Sequence, residues 1–189
     1  MCSRNYSRAM NSFQLSDFEI NPISEKDGWR LCDFVCANAD YIKRYFPKTV
    51  AANLNPTLSK IFVLEKVSEF LSGKEYLFTL KELEQKKIIG LVYLKELKRA
   101  TKEAEIAYCI AYPHKGKGFA SEAVKTISEW GFTEQHLKRL RIIVYKSNIG
   151  SIKVAENCGY LWKKTLVKEH TPTNEYPLDM ELYVLENER

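Results

Sequence analysis

Lys115-Gly116-Lys117-Gly118-Phe119-Ala120, followed by Ser121-Glu122-Ala123, is the stretch on which the fold turns. The run before it, Ala104 to Ala111, is apolar except at Glu105 and reads as a strand. The run after it, Ala120 to Phe132, sets Ala120, Ala123, Val124, Ile127 and Trp130 on one helical face. A glycine-rich turn between strand and helix directs backbone N–H groups toward a ligand at the positive end of the helix. Such a turn binds phosphate oxygens. Two common phosphate loops do not fit. A Walker loop needs Gly, four residues, then Gly-Lys-Ser/Thr, whereas here one residue separates the glycines and Phe follows the second. A dinucleotide fold places its glycine turn after the first strand of a parallel sheet; this turn follows the fourth strand, after a hairpin.

Working outward, Phe18 to Ile23 reads as a first strand and Ser24-Glu25-Lys26-Asp27 as a helix start. Trp29, Leu31, Cys32, Val35, Cys36 and Ala39 form the expected apolar stripe of that helix. Tyr41 to Phe46 is short and aromatic and stops at Pro47, and Ala51 to Thr57 reads as a loop. Leu58 to Ser72 has helical spacing in Ile61, Leu64, Val67, Phe70 and Leu71, with Gly73 as its stop. Tyr76 to Leu83 and Ile88 to Leu97, joined by the polar turn Glu84 to Lys87, predict an antiparallel hairpin. Past the glycine turn, Arg139 to Tyr145 is strand-like, Ser147-Asn148 opens a short helix ending at Gly159, and Tyr160 to Val167 and Met180 to Leu185 close the chain as strands. The order β, two or three helices, β-β-β, helix, β, helix, β-β predicts one mixed α+β domain over residues 16–189. Residues 1–15 are expected to be a flexible tail.

Composition narrows the function classes. The 189 residues are 45% apolar and 28% charged, ordinary globular values. The net charge of +5 is dispersed among acidic residues, which argues against direct nucleic-acid binding. No stretch approaches the roughly 20 apolar residues of a membrane span. The five cysteines, Cys2, Cys32, Cys36, Cys109 and Cys158, are odd in number and match no zinc spacing. No metal site is expected, Cys32 and Cys36 read as packing on one helical face, and Cys109 reads as core. Reduced thiols and a polar N-terminus without the apolar core of a signal peptide point to the cytoplasm. Monomer and homodimer both remain open.

The arrangement resembles the GNAT superfamily of acyl-CoA-dependent N-acetyltransferases. Its pyrophosphate loop, Gln/Arg-x-x-Gly-x-Gly/Ala, is matched by Lys115, Gly118 and Ala120, with lysine replacing Gln/Arg while keeping the charge. Asn148-x-x-Ser151 followed by Glu156-Asn157-Cys158-Gly159-Tyr160 is similar to the family's Asn-x-x-Ser…Glu-Lys-x-Gly-Phe. Ala104-Glu105-Ile106-Ala107-Tyr108 and Arg44-Tyr45-Phe46-Pro47 are similar to segments of the RimJ/RimL-like branch, which contains ribosomal-protein N-terminal acetyltransferases. The resemblance covers roughly Phe18 to Leu185. It implies a mixed central sheet of about seven strands flanked by about four helices, with the fourth and fifth strands splayed apart. It also implies acetyl-CoA as cosubstrate, bound by Ile110, Ala111, Tyr112, Lys115, Gly116, Lys117, Gly118, Phe119, Ala120, Ser121, Asn148 and Ser151.

The same resemblance implies direct attack of a primary amine on the thioester. The first expectation for the acceptor is a protein N-terminal α-amine, ribosomal or other. The alternatives are a small-molecule amine, such as a polyamine or aminoglycoside, and a non-catalytic acyl-CoA-binding module. A peptide α-amine has a pKa of about 8, so a modest base suffices. Glu105 is the first candidate base and Glu169 the second, and a strand N–H near Ile110 is expected to hold the thioester carbonyl. Many members carry a Tyr one position before the Glu of Glu-Lys-x-Gly-Phe, where this chain has Ala155. Ser151 is then the expected partner of the leaving thiolate. Acceptor selection is assigned to the helical region before Gly73 and the loop Thr171–Pro177, where Glu169 and Glu175 are candidate anions for an amine. Tyr41 and Tyr45 read as packing residues, and His170 as a surface residue.

Overall fold

The computed structural model describes residues 12–172 and 175–187. Eight strands form one sheet: β1 (Phe13–Gln14), β2 (Phe18–Pro22), β3 (Tyr76–Glu82), β4 (Ile88–Lys98), β5 (Glu103–Ile110), β6 (Arg139–Tyr145), β7 (Leu161–His170) and β8 (Leu178–Glu186). Five helices accompany them: α1 (Gly28–Ile42), α2 (Pro47–Ala51), α3 (Pro56–Ser72), α4 (Phe119–Thr133) and α5 (Ile149–Asn157). The sheet order is β1-β2-β3-β4-β5-β6-β8-β7, and every pair is antiparallel except β5–β6. This is the expected α+β architecture with one strand and one short helix more than counted from sequence. The extra strand, Phe13–Gln14, pairs with Glu19–Ile20, inside the stretch expected to be a tail. The remainder of that expected tail, residues 1–11, lies outside the described residues, as do Thr173 and Asn174 of the β7–β8 loop.

The center of the sheet is covered on both faces. All seven residues from Ile88 to Leu94 are buried, which replaces the period-two alternation of a half-exposed strand with a continuous apolar run. An aromatic cluster joins β3 to the helices: Phe70 of α3 and Trp130 of α4 both pack against Tyr76 and Phe78, with ring centroids 4.9–5.3 Å apart. One charged pair is buried with them. Asp27 bonds the Ser24 N–H at 2.9 Å, closing the turn that starts α1, and its other oxygen pairs with Lys81 at 2.6 Å.

Pro47, expected to stop an element, instead begins one, and Pro56, inside the expected loop Ala51 to Thr57, does the same. They occupy the first turns of α2 and α3, where a missing N–H costs nothing. Asn55 caps α3 by accepting from Leu58 N–H at 3.0 Å. α3 starts at Pro56, two residues before the expected Leu58, and most of its buried face differs from the expected one. Phe70 is buried as expected, but Ser59, Phe62 and Val63 share the core with it, while Ile61, Leu64 and Leu71 are exposed. On α1, Leu31, Cys32 and Val35 are buried as expected, yet Trp29 and Cys36 are exposed and Phe34 takes a core place.

One break in the sheet makes the site. β5 and β6 pair only over Glu103–Glu105 with Arg139–Arg141. Beyond that, Ile106–Ile110 and Ile142–Tyr145 separate, leaving two strand edges facing a cleft. This is the splay expected between the fourth and fifth strands, here β5 and β6.

Candidate active site

The glycine loop leaves β5 through a single tight turn, Tyr112–His114, and ends at Gly118, which caps α4. Gly116 and Gly118 lie at φ +80° and +86°, a region costly for any residue with a Cβ. A Cβ at either position would meet no protein atom within 4 Å. The glycines therefore serve backbone conformation and leave open space in front of the loop. Glu122 N–H is the donor that bonds Gly118 O, at 3.1 Å, so the first N–H groups of α4, from Phe119 to Ser121, precede the helical ladder. With the ammoniums of Lys115 and Lys117 beside them, these donors fit a pyrophosphate. The Phe119 side chain turns inward, 4.9 Å from Phe18 and 5.8 Å from His114 ring to ring, and so anchors the helix start.

α1 holds the other side of this loop. Asn38, 7% exposed, donates Nδ2 to Phe34 O (2.8 Å) and accepts the Tyr112 N–H at Oδ1 (2.9 Å). Tyr41 lies edge-on to Tyr112 at 5.7 Å, and Lys115 Nζ sits over the Tyr41 ring at 5.5 Å. Among the expected cosubstrate contacts Ile110, Ala111 and Tyr112, two have their N–H already engaged: Ala111 donates to Ile89 O at 2.7 Å, Tyr112 to Asn38. Successive N–H groups along a strand point to opposite sides, so Ile110 N–H faces the open edge. The sequence gives no direct signal for Asn38, since nothing in its spacing links α1 to a loop more than seventy residues away.

The cleft widens into a cavity of about 500 Å³ between β5, β6, α5 and the segment after α1. Asn148, Ser151, Glu105 and Glu169, all expected site residues, line it together. Asn148 caps α5 by accepting Ser151 N–H at 3.2 Å, which fixes Ser151 at the cavity wall beside Tyr108. Ala155 is fully buried, so that position sends nothing into the cavity. Tyr108, the last residue of the Ala104–Tyr108 segment, also lines it. Its hydroxyl donates to Ser151 O at 3.3 Å, and burial pushes its pKa well above the usual phenol range.

Glu105 is 7% exposed and held between two cations, Lys95 at 2.9 Å and Arg141 Nε at 3.3 Å. Arg141 also pairs with Glu96. The strand pairs Lys95↔Glu105 and Glu105↔Arg141 set these three side chains in one row. Such a row is visible only once the register is known. Glu169 also lines the cavity but has no ion pair among the described residues. The roof is tied down separately: His170 Nε2 bonds Arg44 O (2.8 Å), Tyr45 stacks on His170 (6.0 Å), and Arg44 lies over Tyr145 (5.5 Å) while pairing with Glu175 (2.6 Å). Glu175, expected as an anion for an amine, is thereby neutralised by Arg44.

The thiols stay out of this chemistry. Cys109 is buried, and burial pushes its pKa up to about 12, consistent with a core residue. Cys158 is raised to about 11 for the same reason, with its Sγ toward Ser121 O. Among the described residues no group of three or more His, Cys, Asp or Glu could hold a metal ion, and no helix is long and apolar enough to cross a membrane.

Known proteins resemble this chain in sequence and in fold. The acetyltransferase (GNAT) domain profile matches residues 17–161. A spermidine N(1)-acetyltransferase of Vibrio cholerae is 31% identical over 103 residues, 54% of this chain and 60% of that enzyme. The ribosomal protein uS5-alanine N-acetyltransferase of Escherichia coli is 26% identical over 123 residues, 64% and 63% of the two chains. The chain thus spans about three fifths of the length of these two relatives. Among solved structures, a ribosomal-protein-S5-alanine acetyltransferase of Vibrio fischeri superposes with a TM-score of 0.88 at 22% identity, over 94% of this chain and 97% of that one. RimL, a ribosomal L7/L12 α-N-protein acetyltransferase solved in complex with coenzyme A, gives 0.83 at 16% identity, over 93% and 98%. With its glycine loop, splayed strands and profile match over most of its length, this chain belongs to the GNAT family of acetyl-CoA-dependent N-acetyltransferases.

Proposed function

We propose that this chain acetylates the α-amine at the N-terminus of a peptide or protein. The observation that carries the reading is the charge inside the cavity. Glu96 and Glu105 are neutralised by Arg141 and Lys95, so Glu169 is the lining carboxylate left to meet a cation. One free carboxylate suits one ammonium. A polyamine brings several, and would leave the others facing Lys48 and Lys95.

Acetyl-CoA supplies the acyl group as a thioester already activated toward an amine. The residues of this chain then have separable roles. The Lys115–Ser121 loop holds the phosphates, and Asn148 orders the start of α5 so that Ser151 presents its hydroxyl to the cavity. Ile110 N–H is a donor held at the open strand edge. Glu169 serves as counter-ion to the incoming ammonium and takes its proton, a modest task for an amine of pKa about 8. Glu105, with both oxygens engaged by cations, fixes the cleft floor, and the first place it held as base passes to Glu169.

The test is thiol release from acetyl-CoA with three acceptors: a free-amine peptide, the same peptide N-blocked but containing lysine, and spermidine. Turnover of the free peptide alone is expected. Glu169→Gln should lower kcat/KM at least about tenfold, within the usual worth of a general base, while Glu105→Gln acts mainly on stability. Faster turnover of spermidine than of any peptide overturns the reading. That outcome would establish the second one, polyamine acetylation, which the resemblance to the Vibrio cholerae spermidine enzyme supports.

A further inference from the structure

β7 is the last strand of the sheet, so among the described residues one side of its backbone has no strand beside it from Leu161 to His170. Its residues are mostly exposed, including Leu161, Trp162 and Val167 at 66%, 55% and 72%. A long, bare, partly apolar edge is a template for another extended chain. The charges decide which chain. Lys163, Lys164 and Lys168 project from this strand with no ion pair among the described residues. Two nearby carboxylates of β8 are already engaged. Glu181 accepts from the Trp162 indole (2.5 Å) and the Thr165 hydroxyl (3.0 Å), and Asp179 from the Lys168 backbone N–H (2.9 Å). A second copy of β7 fits poorly, because three lysines from each strand would share one seam.

The edge also leads to the site. Glu169 and His170, at its C-terminal end, line the cavity, and Lys163 stands six positions earlier, about 20 Å away at strand rise. We propose that the outer edge of β7 binds the acceptor itself: the extended, acidic segment following the acetylated amine lies along it, with carboxylates against Lys168, Lys164 and Lys163. This rests on the N-terminal reading above and narrows it to proteins that carry Asp or Glu within about residues 3–8.

The experiment compares octapeptides that share two N-terminal residues and differ at positions 3–8, either Asp/Glu-containing or Ser/Gly only. The acidic peptide should have a KM about tenfold lower at low salt, the scale of a few exposed ion pairs, with kcat unchanged. High salt should remove the difference. The triple variant Lys163→Ala, Lys164→Ala, Lys168→Ala should remove it too, while leaving a dipeptide acceptor unaffected, and lysine-to-glutamate changes should invert it. Equal KM for both octapeptides in the parent protein overturns the proposal and leaves N-terminal acetylation standing. A preference that persists in the triple variant overturns it as well. Turnover of spermidine without turnover of any peptide removes both.

Discussion

Replacing Asn38 of α1 with alanine should loosen the glycine loop that follows β5. Asn38 is buried, and its Oδ1 takes the Tyr112 N–H at 2.9 Å, at the point where the chain leaves β5 for the glycine loop. Truncation removes that acceptor and strands a partly buried donor. A loss of this kind costs about 1–3 kcal/mol. For a domain of this size each kcal/mol moves Tm by about 2–4 °C, so a cost of about 2 kcal/mol predicts a fall of about 4–8 °C. If the whole cost falls on ordering the loop, binding weakens roughly thirtyfold; a rise of about tenfold in KM for acetyl-CoA is expected, with KM for the amine nearly unchanged. Calorimetry and thiol-release kinetics read the two effects. Asn38→Asp keeps an oxygen acceptor toward Tyr112 and should recover most of the acetyl-CoA KM. An Asn38→Ala protein with parental KM for acetyl-CoA, whatever its Tm, would refute the coupling between α1 and the loop.

Three further outcomes follow from the same geometry. Gly118→Ala places a Cβ at φ +86° in front of the loop, costing about 1–2 kcal/mol of backbone strain and obstructing the phosphates. Acetyl-CoA affinity by calorimetric titration should fall more than tenfold. On α3, Ile61→Lys should leave urea stability within about 0.5 kcal/mol, while Phe62→Ala, one residue on, should cost about 3–5 kcal/mol. At His114, burial and then Lys117 hold the pKa below the ordinary imidazole value. The unfolded chain therefore takes up the proton first, near pH 6.5, and stability is complete above that pH and declines as pH falls below it. His114→Phe should flatten the stability profile as pH falls below about 6.5, and an unaltered slope would remove His114 as its source.

The sequence by itself determined the order of the major elements, the glycine turn between strand and helix, and the helix start at Ser147-Asn148. Each of these is local: a period, a left-handed glycine or a helix cap needs only a few consecutive residues. It also predicted the splay, through motifs rather than through periodicity. The buried face of α3 was not legible, because Ile61-Leu64-Leu71 and Phe62-Val63-Phe70 share one helical period and only packing against β3 and α1 chooses between them. Nor was the state of Glu105. Its neighbors Lys95 and Arg141 lie ten and thirty-six residues away in sequence and reach it through strand register. Tertiary structure likewise brought Asn38 to Tyr112 and Arg44 to Glu175, and placed β7 at the open edge of the sheet. The amino-acid order specified a glycine turn beside an opened sheet. Which carboxylate of the cavity keeps no ion pair among the described residues was decided by long-range electrostatic pairing, which exists only in the folded chain.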